Sequence, residues 1–97
     1  MLFIGLIYIN EAKYTTAATY LERLVKAHNK SGSGYYYLSV CYAALKKDAV
    51  AITNLENALK LKYGEGAGIW SQKEFAELRN TAAFKALMKK YFPDEKF

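Results

Sequence analysis

Few residues of this chain are of a type that does chemistry, and their spacing brings no two of them together. There is one histidine, His28, and one cysteine, Cys41. A lone histidine has neither further zinc ligands nor an acid to orient it. His28 also falls where a helix is expected to end, beside Asn29 and Lys30, so it reads as a cap-region residue. Cys41 excludes an internal disulfide and sits mid-helix, where it reads as a small core residue rather than a reactive thiol. Serines other than Ser39 lie in expected loops, acids are sparse, and no His/Asp, Cys/His or paired-carboxylate arrangement is present. Alternating Gly64, Gly66 and Gly68 suggest a phosphate cradle, but that motif needs a preceding strand and a P-loop lysine or dinucleotide spacing. Here the glycines follow a helical pattern, and a flexible connector is expected. The chain is read as non-enzymatic, with no catalytic residue, no cofactor and no metal.

Bulk properties narrow the remaining classes. Ninety-seven residues, 53 % of them apolar and 15 % aromatic, make one folded domain with a shallow core and argue against disorder. The net charge of +5 invites a nucleic-acid reading. The basic residues are spread along the whole chain with acids between them, and no basic stripe forms, so no nucleic-acid partner is expected. The most apolar run, Met1 to Ile9, lacks a positive flank and a small-residue cleavage site. It is also far shorter than the roughly 20 residues a membrane span takes. No membrane association is expected, and a cytoplasmic location is the expectation.

The elements that position these side chains are helices. Tyr35, Leu38, Ser39 and Tyr42 recur at helical spacing on one face, as do Ala51, Leu55 and Ala58 on the next segment. A polar turn at Lys46, Lys47 and Asp48 separates the two, and small side chains at Ser39, Ala51 and Ala58 allow close approach. This unit has a copy about 34 residues earlier: Leu38 aligns with Ile4, Ser39 with Gly5, Tyr42 with Tyr8, Ala51 with Ala17 and Leu55 with Leu21. Two helical hairpins in that register resemble the tetratricopeptide repeat family over residues 1 to about 63. The resemblance implies an all-α fold, a right-handed solenoid of helix-turn-helix units: a first repeat over residues 1–30, a second over 33–63, and terminal capping helices over 69–92, in a single domain spanning 1–97.

The remainder fits a closing segment. Ser71–Gln72–Lys73–Glu74 has capping-box spacing and is expected to open a short helix through about Asn80. Thr81 is expected to cap a last helix, Ala82 to Tyr91, with Pro93 as its stop. Phe75-x-x-Leu78-Arg79, followed by Phe84-x-x-Leu87, resembles the segment that ends many bacterial tetratricopeptide arrays. It departs from that pattern at Asn80, Thr81 and Ala82, where acid, acid and proline are usual. An open helical stack must cover its last apolar face, and an atypical terminal unit does so.

What the resemblance implies for function is a protein-protein interaction module that binds partners on a concave face lined by the first helix of each repeat. Carried onto this chain, that face comprises Leu2, Phe3, Leu6 and Ile9, then Tyr36, Tyr37 and Val40. Leu2, Leu6, Tyr36 and Val40 stand where some members hold a partner's carboxylate with lysine and asparagine. An apolar segment or amphipathic helix is therefore the expected ligand. Ile7, Tyr37 and Cys41 are expected to serve mainly as core between the repeats. The alternatives are that the chain is the C-terminal piece of a longer repeat array, or that it self-associates: the first helix is apolar on all sides, and an open face of roughly 300 Å² formed by Leu2, Phe3, Leu6 and Ile7 would favour a homodimer.

Overall fold

The computed structural model describes residues 1–96. Helix α1 spans Leu2–Asn10, α2 Tyr14–Ala27, α3 Gly32–Ala44 and α4 Asp48–Lys60. A short α5, Gly66–Trp70, leads through 3-10 turns at Lys73–Phe75 and Leu78–Asn80 into α6, Ala82–Tyr91. No strand occurs among the described residues, so the fold is all-α.

The internal repeat of the sequence is reproduced in the backbone. Helices α1 and α3 end at Asn10 and Ala44, and α2 and α4 begin at Tyr14 and Asp48, 34 residues apart in both cases. Each hairpin turns on one non-glycine residue in the left-handed region, Ala12 at φ 59° and Lys46 at φ 63°. The closing hydrogen bonds match as well: the amide of Lys13 donates to the Tyr8 carbonyl at 2.8 Å, and that of Lys47 to the Tyr42 carbonyl at 2.8 Å. Thr19 and Thr53 each donate a hydroxyl to the carbonyl four residues back, at 3.2 and 3.0 Å. A left-handed residue lets an αα-turn reverse within three residues, and the same turn recurs because the same pattern of apolar and polar positions flanks it.

Caps appear where side chains permit them. Ser31 caps α3, its Oγ accepting from the amide of Gly34 at 3.1 Å. Thr81 caps α6 as expected, its Oγ1 accepting from Phe84 at 3.2 Å. Helix α2 stops at Ala27, with His28 as its C-cap residue, exposed at the helix end.

Two expectations for residues 64–80 are corrected. The glycine-rich stretch is not merely a connector: Gly64 turns at φ 97°, and Gly66–Trp70 form α5, which buries Ile69. The Ser71 box does not open a continuous helix. Ser71 Oγ donates back to the Gly68 carbonyl at 3.3 Å, and Glu74 is engaged elsewhere, so the cap is never made. In its place stand two 3-10 turns that carry Phe75 and Leu78, both buried. The tighter winding suits a segment that must place apolar residues three apart on one side.

The core falls into two clusters. One joins α2 and α3 through Ala17, Ala18, Leu21, Leu38 and Cys41, with Leu2, Tyr8 and Ile9 of α1 packed against it. The other joins α3 and α4 to the terminal segment through Tyr36, Val40, Leu55, Phe75, Phe84 and Met88 among others. Helix α3 lies between them and is covered on both sides. Phe75 and Phe84 pack with ring centroids 5.8 Å apart, and Tyr36 meets Phe75 edge-on at 6.0 Å. Aromatic pairs in this geometry add to the gain from burial alone.

Candidate interaction surface

Helix α1 has no charged residue and no polar one before Asn10, so every face of its first two turns is apolar. A helix of that kind is normally enclosed. Only part of α1 is. Gly5 lies against Leu21, so closely that a Cβ there would stand 2.9 Å from two side-chain carbons of that leucine. Tyr8 stacks on Tyr20 with centroids 5.7 Å apart, and Leu2 and Ile9 pack partly into the core. The opposite side is open. Phe3 is 81 % exposed, Ile7 58 %, Met1 47 % and Ile4 42 %. Phe3 and Ile7 are four residues apart and Ile4 and Ile7 three, so these side chains form one stripe.

The residues expected to line a partner site are thereby separated. Phe3 is open, Leu2, Leu6, Ile9 and Tyr37 are half-buried, and Tyr36 and Val40 belong to the core. Val40 has no exposed surface, and Tyr36 turns its hydroxyl inward to donate to Gln72 Oε1 at 2.9 Å. The terminal segment occupies the side of α3 on which these two residues lie. Ile7, expected mainly as core in the concave-face reading and as a contact residue in the self-association reading, is the second most exposed of the four. The reason is positional: its counterpart Cys41 is buried in the cluster that includes residues of the first hairpin, and no described helix stands in that relation to α1. Sequence reasoning missed Ile4 for the same reason, having aligned it with Leu38, which is fully buried.

A polar network holds the terminal segment in place. Glu74 accepts from the Tyr14 hydroxyl at 3.0 Å and from Gln72 Nε2 at 2.6 Å, while Gln72 receives Tyr36. Burial first, and then the Glu74 carboxylate, pushes the Tyr14 hydroxyl above the ordinary tyrosine range. Arg79 Nη1 donates to the carbonyls of Trp70 and Gln72, clamping the loop between α5 and the first 3-10 turn. On the far side Glu56 accepts from Lys90 at 2.8 Å and from Tyr91 at 2.9 Å, which ties α4 to α6 and lowers the Glu56 carboxyl below its usual value.

Reactive groups have little access. The Cys41 thiol has no exposed surface, and burial pushes it up to about 12. Among the described residues no three histidine, cysteine, aspartate or glutamate side chains gather as a metal site, and no helix is long and apolar enough to cross a membrane. A cavity of about 450 Å³ beside α6 is lined by Arg79, Lys85, Lys89 and Glu95 over Met88 and Phe92. Its charges are of both signs, and Arg79 is already committed to backbone carbonyls. The α1 stripe is the feature best suited to recognition. Comparison of the chain with protein-family models, with curated proteins and with solved structures returned no match.

Proposed function

We propose that this chain is a protein-interaction module, built as two tetratricopeptide-like helical pairs closed by a terminal segment, which docks an apolar segment or helix on the outer stripe of α1. The recurrence of the hairpin turn at Ala12 and Lys46 supports the repeat reading. A single observation carries the docking reading. Of the five large apolar side chains left exposed among the described residues, four lie on or at the start of α1, Val50 being the fifth. Isolated exposed apolar residues are ordinary, whereas a contiguous set on one helix marks an interface. The concave site drawn from the family resemblance shifts accordingly: Phe3 stays, Tyr36 and Val40 become support for α3, and Ile4 and Ile7 enter.

The chemistry of such a surface is burial of area together with a shape that fits. Phe3 offers a rigid ring that loses little conformational freedom on binding, and the two isoleucines offer stiff branched side chains. The side chains of the stripe carry no donor or charge, so the ligand is recognised chiefly by its own apolar face. The test is a neutral environment-sensitive dye, Nile red, added to dilute protein. Its fluorescence is expected to rise with the native chain and to fall to background with Phe3→Glu, while the helical circular dichroism stays unchanged. Equal fluorescence from that variant would place the apolar site elsewhere and contradict the reading.

A further inference from the structure

We infer that the α1 stripe is self-complementary, and that its partner is the same stripe on a second copy, packed antiparallel about a two-fold axis. This inference rests on the docking surface proposed above and commits that surface to one occupant.

The first argument is elimination within the chain. A second copy has to offer an apolar surface of its own. Helix α4 offers none: α6 is tied to it by the bonds from Lys90 and Tyr91 to Glu56, and Val50 is its single large exposed apolar side chain among the described residues. Apart from Val50, the large exposed apolar side chains among the described residues are those on or at the start of α1. Among the described residues, the extended apolar face a second copy can present is thus the identical one, and a contact between identical faces closes as a dimer and does not propagate.

Area is the second argument. From their fractional exposures, Met1, Phe3, Ile4 and Ile7 leave on the order of 400 Å² open per copy. Two such faces, with the half-buried Leu2 and Leu6 at their margins, approach the roughly 1,000 Å² at which specific interfaces begin. The contact is therefore sized for a concentration-dependent dimer, not an obligate one.

Charge decides the orientation. Met1 is the N-cap residue of α1 and makes no side-chain cap, so the first amides of the helix have no side-chain acceptor and its N-terminal end carries the positive pole of the helix. Glu11 lies four residues beyond Ile7, at the C-terminal end of the same stripe. Its ion pair with Lys13 is long, 3.4 Å, and exposed. Lys13 itself lies over the Tyr8 ring, 5.9 Å from its centroid, away from the stripe. An antiparallel pair sets Phe3 of each copy near Ile7 of the other and brings each Glu11 towards the uncapped end opposite. A parallel pair would place the two positive ends together and the two carboxylates together.

Sedimentation equilibrium of the full chain, from low to high micromolar, tests the inference. The weight-average mass is expected to climb from 11.0 kDa towards twice that value and to stop there. Phe3→Glu and Ile7→Glu should each weaken association by at least about tenfold. Both sites are exposed, so circular dichroism should show the fold intact in each. Val50→Glu, at the other exposed apolar residue, should leave the dimer unchanged. Glu11→Lys should weaken the dimer severalfold at low salt and scarcely at high salt. Dissociation caused equally by Val50→Glu, or a mass that grows past the dimer, would overturn the inference, and indifference to Glu11→Lys would overturn the antiparallel arrangement. A wild-type chain that stays monomeric at high micromolar concentration but still binds Nile red through Phe3 would sink the self-pairing alone and leave the docking surface standing. Monomeric protein without dye binding would remove both.

Discussion

The first and second helical hairpins share a turn, a 34-residue offset and a pair of fully buried alanines, Ala17 and Ala51, yet they differ in what encloses them. In the second, Leu38 and Cys41 have no exposed surface; in the first, their counterparts Ile4 and Ile7 are 42 % and 58 % exposed. Tyr37 is half-buried where Phe3 stands almost free. Local sequence pattern builds the hairpin, because capping, turn geometry and the close approach at Gly5 or Ser39 involve only the hairpin's own residues. Neighbours decide burial. Helix α3 has the first hairpin on one side and Phe75 with the terminal segment on the other, whereas among the described residues α1 has a neighbour on one side alone. Side chains of the same kind, in equivalent positions, are core in one hairpin and surface in the other.

Paired truncations sharpen this contrast most. Leu38→Ala is expected to cost about 2–5 kcal/mol, since it empties a fully enclosed site, and Ile4→Ala less than about 1 kcal/mol. Urea denaturation of dilute protein measures both, and equal costs would mean that the two hairpins are enclosed alike. Next in size is Ala51→Leu. It should overpack the crossing of α3 and α4 and cost roughly 1–3 kcal/mol, with Ala17→Leu comparable at the first crossing. An unchanged melting temperature in either would show that the crossing is looser than described.

A third substitution separates the two crossings. Ser39 stands where the first hairpin has Gly5, and its fully buried hydroxyl makes no hydrogen bond among the described residues. Ser39→Ala removes a desolvated dipole and favours the helix, so it should stabilise by up to about 1 kcal/mol. At the first crossing there is no room for a side chain, since even a methyl group at Gly5 would overlap Leu21. A fall in melting temperature for Ser39→Ala would point to a partner for the hydroxyl.

The smallest effect concerns the terminal cover. Because its hydrogen bonds from Lys90 and Tyr91 depress the Glu56 carboxyl, its contribution is present above the ordinary glutamate value and is lost as the pH falls through the lower folded value. The difference in melting temperature between wild type and Glu56→Gln should therefore shrink on acidification below the ordinary range. A difference that widens there would contradict the assignment. The group is at the surface, so the effect is modest at every pH.

Much of the hairpin architecture was legible in the sequence, because it rests on local rules. The spacing of Tyr8 and Ala17, repeated at Tyr42 and Ala51, marks two identical turns, and Thr81 caps α6 as its position suggests. Residues 64–80 were not legible to the same degree. Three glycines argue for a loop, but burying Ile69 outweighs their low helix propensity. Ser71 and Glu74 have capping-box spacing, but Tyr14, sixty residues away, engages Glu74 instead. The site was half legible. An all-apolar α1 announced an exposed face, but the choice among its residues depended on which side α3 covers, a fact of tertiary packing. Repeat alignment misled here: it gave Ile4 and Ile7 the core roles of Leu38 and Cys41, and it gave Tyr36 and Val40 the surface roles expected of a concave lining.

The most direct test of the account is a concentration series of amide proton–nitrogen correlation spectra on the uniformly labelled chain. Progressive shifts confined to residues from Met1 to Glu11, with those of α6 and the Arg79 loop fixed, are the predicted result. Shifts centred on α6 or on the Arg79 cavity, or none at any concentration, would contradict the claim that the open side of α1 is where this molecule meets a second copy of itself.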